Sequence, residues 1–329
     1  MHIHVISPGL LTTIQDSGRP AARRYGVPPS GAMDMFALAV ANRLIGNPSD
    51  AAALELTAGG ALLEFLRPTL VALTGADLGA TLNGRHLAPW QAALLDRGTT
   101  LHFRGRQANW GARAYLALAG GIAAPTLLGS RSTYLAGGFG GLEGRALRPG
   151  DQLATYASPH SRWPWVGTEW PCHARPLYGH TPTLRFLPGP HYAALTPAAR
   201  EALSQTTLRV GAAANRIGYR LDGLRLSFSQ QLSLPSFGVI AGAIQVPPDG
   251  TPILLMAEAQ TIGGYPVVAI VIAPDLPLAA QILPGDQLRL APTTMRAARA
   301  AHQRYAAWLA TAPQADPWPE QLALAGALG

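Results

Sequence analysis

The chain has 329 residues, 48% hydrophobic and only 13% charged, which excludes a disordered chain and allows two domains with a core each. All 25 of its Lys+Arg residues are arginine, which excludes a biotinyl-lysine, a lysine Schiff base and a Walker-type phosphate-loop lysine. The formal net charge of +7 is spread over scattered arginines, the longest run being Arg23-Arg24, so no nucleic acid is expected as a partner.

In chain order, His2 to Ile6 alternates as a strand does, and Ser7-Pro8-Gly9 stops it. The start MHIHVISPGL lacks the charged and apolar regions of a signal peptide, and no stretch approaches a membrane span, so a cytoplasmic chain without a membrane partner is expected. Asp34 reads as the N-cap of a helix over MFALAVANRLI that Gly46 ends. ALLEFL, TLVALTG, ATLNG, AALLDRG and TLHF between Ala61 and Phe103, then RAYLALA from Arg113, read as strands joined by tight turns. High Gly (36) and Pro (29) point the same way, to short elements and a mainly β fold with a few helices. A glycine-rich stretch occupies Ala136 to Arg145. Its G-x-G-x-x-G register fails at Glu143, so a turn or bulge between strands is preferred to an anion loop beside Arg145.

The domain reading is an N-terminal β-rich domain over 1–157 and a Trp/Pro-rich connector over 158–182. A C-terminal β domain over 183–292 and a C-terminal helix and tail over 293–329 follow. Trp163, Trp165 and Trp170 make the connector an ordered one that packs on one or both domains. After it come TLRFLPGP, a short helix opening at Thr196-Pro197, and strands near LRV, RLSF, GVIAGAIQV, ILLMA and VVAIVIA. Arg148-Pro-Gly-Asp-Gln-Leu153 and Leu283-Pro-Gly-Asp-Gln-Leu288 echo one another. They are either a recurring turn or a sign of two domains of the same fold.

The chemistry-bearing residues are few. Cys172 is the single cysteine, which excludes an internal disulfide and fits a reducing compartment. Cys172-His173 reads as structural or surface, His2 and His4 lack a third ligand, and no metal is expected. Polar clusters in apolar β surroundings remain. They are Gln15-Asp16-Ser17-Gly18-Arg19, Asn42 with Glu55, Asn215-Arg216 with Tyr219-Arg220, Gln245 to Asp249, and Glu258 to Tyr265. A buried polar group must be hydrogen-bonded, so each cluster cross-links the fold or lines a pocket. Arg216 and Arg220 are candidates for clamping a carboxylate or phosphate. Gln260, Thr261 and Tyr265 are candidates for orienting a small polar substrate.

The segments LLTTIQDSGRPAARRYGVPPSGAMD, NPSDAAALELTAGG, GGFGGLEGRALRPGDQL, LPGP, ANRIGYRLDG and GAIQVPPDGTPILLMAEAQTIGGYP occur in order. Together they resemble the family of bacterial 5-oxoprolinase C subunits, which is biotin-dependent carboxyltransferase-like. That family also takes in the Kip-type antagonist of a kinase inhibitor and part of urea carboxylase. The resemblance implies two β-barrel-like domains with a cyclophilin-like core, the second domain being the cyclophilin-like one. It implies a chain that works only with the B-type and A-type proteins of a 5-oxoprolinase, opening 5-oxo-L-proline to L-glutamate. ATP with Mg acts at the level of the complex, and there is no covalent biotin. Within the matching motifs, Arg216 and Arg220 would be the catalytic, charge-stabilising residues. Asn215, Tyr219, Gln245, Gln260, Thr261 and Tyr265 would bind a lactam or amide substrate, and Asp16, Arg19, Asn42 and Glu55 are further motif positions. Two other functions stay open: the role of a biotin-dependent carboxyltransferase subunit, and that of a non-catalytic regulatory partner to a kinase-inhibitor subunit.

Overall fold

A computed structural model describes residues 1–107, 110–157 and 165–315. Trp163 and the tail beyond residue 315 lie outside the described residues. The chain is mainly β, as expected, and divides into two compact units. The first holds 1–18, 34–176 and the chain from Trp308; the second holds Arg19–Met33 and Leu177–Ala307.

In the first unit the strands read from the sequence form at Ile3–Pro8, Ala61–Phe65, Thr69–Gly75, Ala80–Leu82, Gln91–Leu95, Thr100–Phe103 and Arg113–Leu118. Two sheets, of six and seven strands, enclose one apolar core. The strands Thr69–Gly75 and Arg113–Leu118 are buried along their whole length. Their second face is covered by the helix Met35–Leu44, which buries Phe36, Leu38, Val40 and Leu44. Each such side chain contributes roughly 1.5–3 kcal/mol. Asp34 caps that helix as predicted, its carboxylate accepting from the Ala37 amide at 2.9 Å. Trp170 is fully buried in this unit, donating Nε1–H to the Ala174 carbonyl, and the Trp165 ring lies against Gly46.

In the second unit seven strands close a barrel. They are Thr183–Pro188, Leu208–Val210, Gly218–Asp222, Ala243–Gln245, Ile253–Leu255, Val267–Val271 and Gln287–Pro292. Alternate side chains, among them Phe186, Val210, Tyr219, Leu221, Ile244, Leu254 and Val268, fill the interior. The strand expected at RLSF forms earlier instead, at Gly218–Asp222. Gly223 (φ +101°) turns the chain out, and Phe228 keeps one isolated bridge to Leu195. GVIAGAIQV is likewise not one strand: Gly242, at φ +88°, breaks it between Phe237–Gly238 and Ala243–Gln245. No helix among the described residues is long and apolar enough to cross a membrane.

The repeated hexapeptide is the same turn twice. Gly150 and Gly285 take φ +90° and +91° after proline, which is type II turn geometry. Each Asp side chain then accepts from the amide three residues back, Asp151 from Arg148 at 2.7 Å and Asp286 from Leu283 at 2.8 Å. In the first unit the Arg145 guanidinium also grips Asp151 through both oxygens, at 2.7 and 3.0 Å, and bonds Glu143. Arg145, chiefly, holds the Asp151 carboxyl below the usual carboxylate range. Stability from this pair is full above about pH 4, the unfolded carboxylate value, and is lost as pH falls through the lowered folded value. Arg145→Gln is expected to flatten the acid limb of a stability-versus-pH curve. An acid limb as steep as that of the parent would sink this account.

Candidate functional site

The candidate site lies on the outer face of the barrel. In strand Ala243–Gln245, Ile244 points into the barrel core, whereas Ala243 belongs to an outer cluster with Val239, Leu255, Ala259 and Val267. Strand side chains alternate, so Gln245 faces outward with Ala243. Register then sets a row across four strands: Arg220 opposite Ile253, Ile253 opposite Gln245, and Gln245 opposite Val267. Residues directly opposite on paired strands share a face. The register shifts between Ile244 and Gln245, and such a bulge re-aims a side chain locally.

A two-stranded ribbon, Phe237–Gly238 with Ile262–Gly263, covers part of this face, with Phe237 packed against the outer cluster. Under it the amides converge. Gln260 Nε2 donates to Gln245 Oε1 at 3.0 Å, and Gln245 Nε2 donates to the Tyr265 carbonyl at 3.4 Å. Gly263 lets the ribbon approach closely: a Cβ there would stand 2.8 Å from Gln245 Nε2 and push that amide aside. Gln245 is buried; the Tyr265 side chain is 46% exposed. The Thr261 carbonyl accepts from the Val239 amide at 3.0 Å, which ties the ribbon down.

The two arginines occupy different environments. Arg220 lies outward, half exposed, bonded to Asp249 and, at 3.2 Å, to Thr251 Oγ1. Arg216 is 3% exposed. Its Nε donates to Glu258 at 2.6 Å and its Nη2 to the Gly31 carbonyl at 2.5 Å. Tyr219 points into the barrel core, and the Asn215 side chain accepts from the Ile217 amide at 2.8 Å. Row and amide pair thus bring together Arg220, Gln245, Gln260 and the Tyr265 backbone; Arg216 and Tyr219 sit in the interior.

Sequence reasoning passed over His191, directly after the LPGP segment. Its backbone donates to the Val267 carbonyl at 3.0 Å, and its Nδ1 accepts from the Val267 amide at 3.1 Å. An accepting Nδ1 leaves the ring proton on Nε2. The ring also packs on Phe237, centroids 5.4 Å apart, at the Val267 end of the row. The only signal for it in the sequence is its place beside LPGP.

In the first unit the remaining motif positions are knitted into the fold. Asp16 is buried among Gly18, Ser130, Arg131 and Ser132. Asn42 bonds the Ala51 carbonyl at 2.8 Å and accepts from Asn47 at 3.0 Å. Glu55 accepts from the Tyr115 hydroxyl at 2.7 Å, and that hydroxyl accepts from the Asp34 amide at 2.8 Å. Burial first, then the Glu55 and Asp34 charges, push the Tyr115 phenol well above its ordinary value. Arg19, in the second unit, is fully buried, its amide donating to the Pro29 carbonyl at 2.8 Å. Among the described residues no group of three or more His, Cys, Asp or Glu side chains converges as a metal site would require.

Residues 25–292 match the family described as carboxyltransferase domain, subdomain A and B, and the chain belongs to that family. The solved urea amidolyase of K. lactis is similar in structure, with a TM-score of 0.85 at 29% identity over 93% of this chain. This chain spans 20% of that protein. The resemblance read from the motifs is borne out more closely still by two curated relatives, each named as the C subunit of 5-oxoprolinase. The one from Escherichia coli K12 is 38% identical over 92% of this chain and 94% of its own length. The one from Haemophilus influenzae is 35% identical over 87% and 89%.

Proposed function

We propose that this chain is the C subunit of an ATP-dependent 5-oxoprolinase, working only in a complex with B-type and A-type proteins in the cytoplasm. The observation that carries this reading is the near end-to-end match to a C-subunit relative at 38% identity, covering 94% of the relative. A five-membered lactam offers an N–H, a carbonyl and a ring carboxylate. In this reading the Gln245–Gln260 pair orients the amide group, with Gln260 Oε1 accepting the lactam N–H. His191 presents its Nε2–H from the Val267 end. Arg220, at the other end of the row, receives the carboxylate by exchanging its bond to Asp249, and Thr261 and Tyr265 border the site through the covering ribbon. Asn215 and Tyr219 support the strand that carries Arg220. Arg216 acts as a positioning residue rather than a group that touches substrate.

Magnesium-bound ATP is assigned to the assembled complex. Among the described residues the glycine-rich stretch does not fit a nucleotide cradle, because its cation, Arg145, is held by Asp151 and Glu143. The described residues offer no carboxylate cluster for the metal. Biotin cannot be carried covalently on a chain without lysine.

The test is ATP-dependent glutamate release from 5-oxoproline with each of the three proteins omitted in turn, run beside Gln260→Leu. Activity is expected only with all three. Gln260→Leu is expected to raise KM about tenfold, the cost of about one lost hydrogen bond, and to lower Tm as well, because the buried Gln245 Oε1 loses its donor. Release without this chain would overturn the reading. The structural likeness to urea amidolyase favours one alternative, a carboxyltransferase role. That alternative requires turnover to depend on a biotinylated partner and bicarbonate.

A further inference from the structure

The helix Met295–Ala310 follows the last barrel strand, and within the second unit it is held by little. Only Ala298 and Ala301 of it are buried, against Ile272 with Leu187 beside them. Along its flank a groove of about 480 Å³ opens between the helix and the barrel. Leu187, Ile240, Ile270 and Met295 are among the apolar side chains that line it, and Arg299 and His302 stand on its edge. Ile240 is 47% and Met295 54% exposed. Large apolar side chains left open around one concavity mark an interaction site rather than ordinary surface.

The charge around the groove is one-sided. Arg299 and His302 line it, and among the described residues no Asp or Glu does. The carboxylate of Asp275, on the barrel side, is buried and occupied by Arg185 at 2.6 Å. Apolar floor, methionine and arginine edge are the composition of a protein interface core, and the unanswered positive charge selects an acidic partner. Relatives of this chain are named as one subunit of an enzyme, which requires other chains to bind.

We propose that this groove is a docking surface for the B-type partner protein, which inserts an apolar side chain flanked by Asp or Glu. The proposal rests on the reading above that the chain is one member of a complex. It adds the face that makes the contact and the chemistry of the segment that fills it. The groove lies beside the strand Val267–Val271, whose first residue ends the row of the candidate site. Partner binding therefore bears on the strand that holds Gln245 and His191.

The experiment measures binding of the full-length chain to the purified B-type protein by titration calorimetry and analytical ultracentrifugation. Ile240→Asp is expected to weaken the complex at least about 30-fold, as loss of a hot-spot anchor does, with the Tm of the free chain unchanged. Arg299→Glu is expected to weaken it less, by an amount that shrinks as salt rises. Should Ile240→Asp fail to fold, Met295→Asp tests the same floor from the helix side. Wild-type affinity in either folded floor variant would overturn the groove while leaving the proposed function intact. No complex with the wild-type chain would remove both. Two other outcomes would also overturn it by naming another occupant. One is a homodimer of the free chain that Ile240→Asp dissociates; the other is flotation on phosphatidylglycerol vesicles that Ile240→Asp abolishes.

Discussion

Replacing Arg216 with methionine is expected to cost about 3–5 kcal/mol of stability, the range seen when one member of a buried ion pair is removed. The pair is well shielded: the side chains of Arg216 and Glu258 are 4% and 3% exposed and meet at 2.6 Å. Backbone bonds run beside it, from the Glu258 amide to the Arg216 carbonyl at 2.9 Å and from the Ser30 amide to the Ala257 carbonyl at 3.1 Å. Without the guanidinium, the Glu258 carboxylate is left in the interior without its cation, and the Gly31 carbonyl loses a donor. Removing both charges together, as Arg216→Met with Glu258→Leu, is expected to recover most of the loss, since neither desolvation cost then remains. Urea unfolding of the two variants reads this directly. A single variant within about 1 kcal/mol of the parent would mean that the pair is solvated and the account is wrong, since ordinary surface changes stay in that range. The same double variant separates structure from chemistry. A stable but inactive complex would make Arg216 a substrate contact; a stable and active one confines it to positioning.

What the sequence disclosed, and what it withheld, follows from separation along the chain. Local signals were legible: the Asp34 cap, the Thr196 cap of the helix Pro197–Gln205, and the hexapeptide turns all act within three residues of the group they serve. So were the strand Ile3–Pro8 and the apolar strands between Ala61 and Leu118, whose runs are bounded by turn residues, whereas Leu11–Gln15 and Ala53–Thr57 went unread. Register was not legible. Nothing local says that Arg220, Ile253, Gln245 and Val267 stand in one row, since pairing across strands joins residues far apart in sequence. Nor does local pattern tell an arginine that faces solvent from one that is buried. Arg216 and Arg220 are four residues apart in one motif, yet one meets Glu258 and the other Asp249. The stretch Arg19–Met33 carries the clearest case. It folds with a unit whose main segment begins at Leu177, and the bonds that hold it, Gly31 to Arg216 and Ser30 to Ala257, span about two hundred residues.

Asp16→Ala is expected to destabilise the first unit by about 3–5 kcal/mol, the upper range for single substitutions. One carboxylate here satisfies four donors. Its Oδ1 accepts from the Gly18 amide at 2.7 Å, Ser130 Oγ at 2.6 Å and Ser132 Oγ at 2.5 Å, and its Oδ2 accepts from the Arg131 amide at 2.6 Å. The Asp16 amide returns a bond to Ser132 Oγ at 2.9 Å, so the two segments, more than a hundred residues apart, are laced from both sides. Ser130 and Ser132 are fully buried, and water cannot replace the lost acceptor without entering the core. Asp16→Asn distinguishes charge from shape. An amide keeps one acceptor oxygen but turns its NH2 toward either the Arg131 N–H or the two hydroxyls, so asparagine is expected to lose nearly as much as alanine. Ser132→Ala, which removes one donor and one acceptor, is expected to cost less, about 1–2 kcal/mol. Urea midpoints give the energies, and hydrogen exchange at the Arg131 amide reports whether the loop itself opens. If Asp16→Asn is as stable as the parent, the carboxylate is dispensable to the fold. The Gln15-Asp16-Ser17-Gly18 segment would then have to be explained by what it contacts in the complex rather than by the loop it holds.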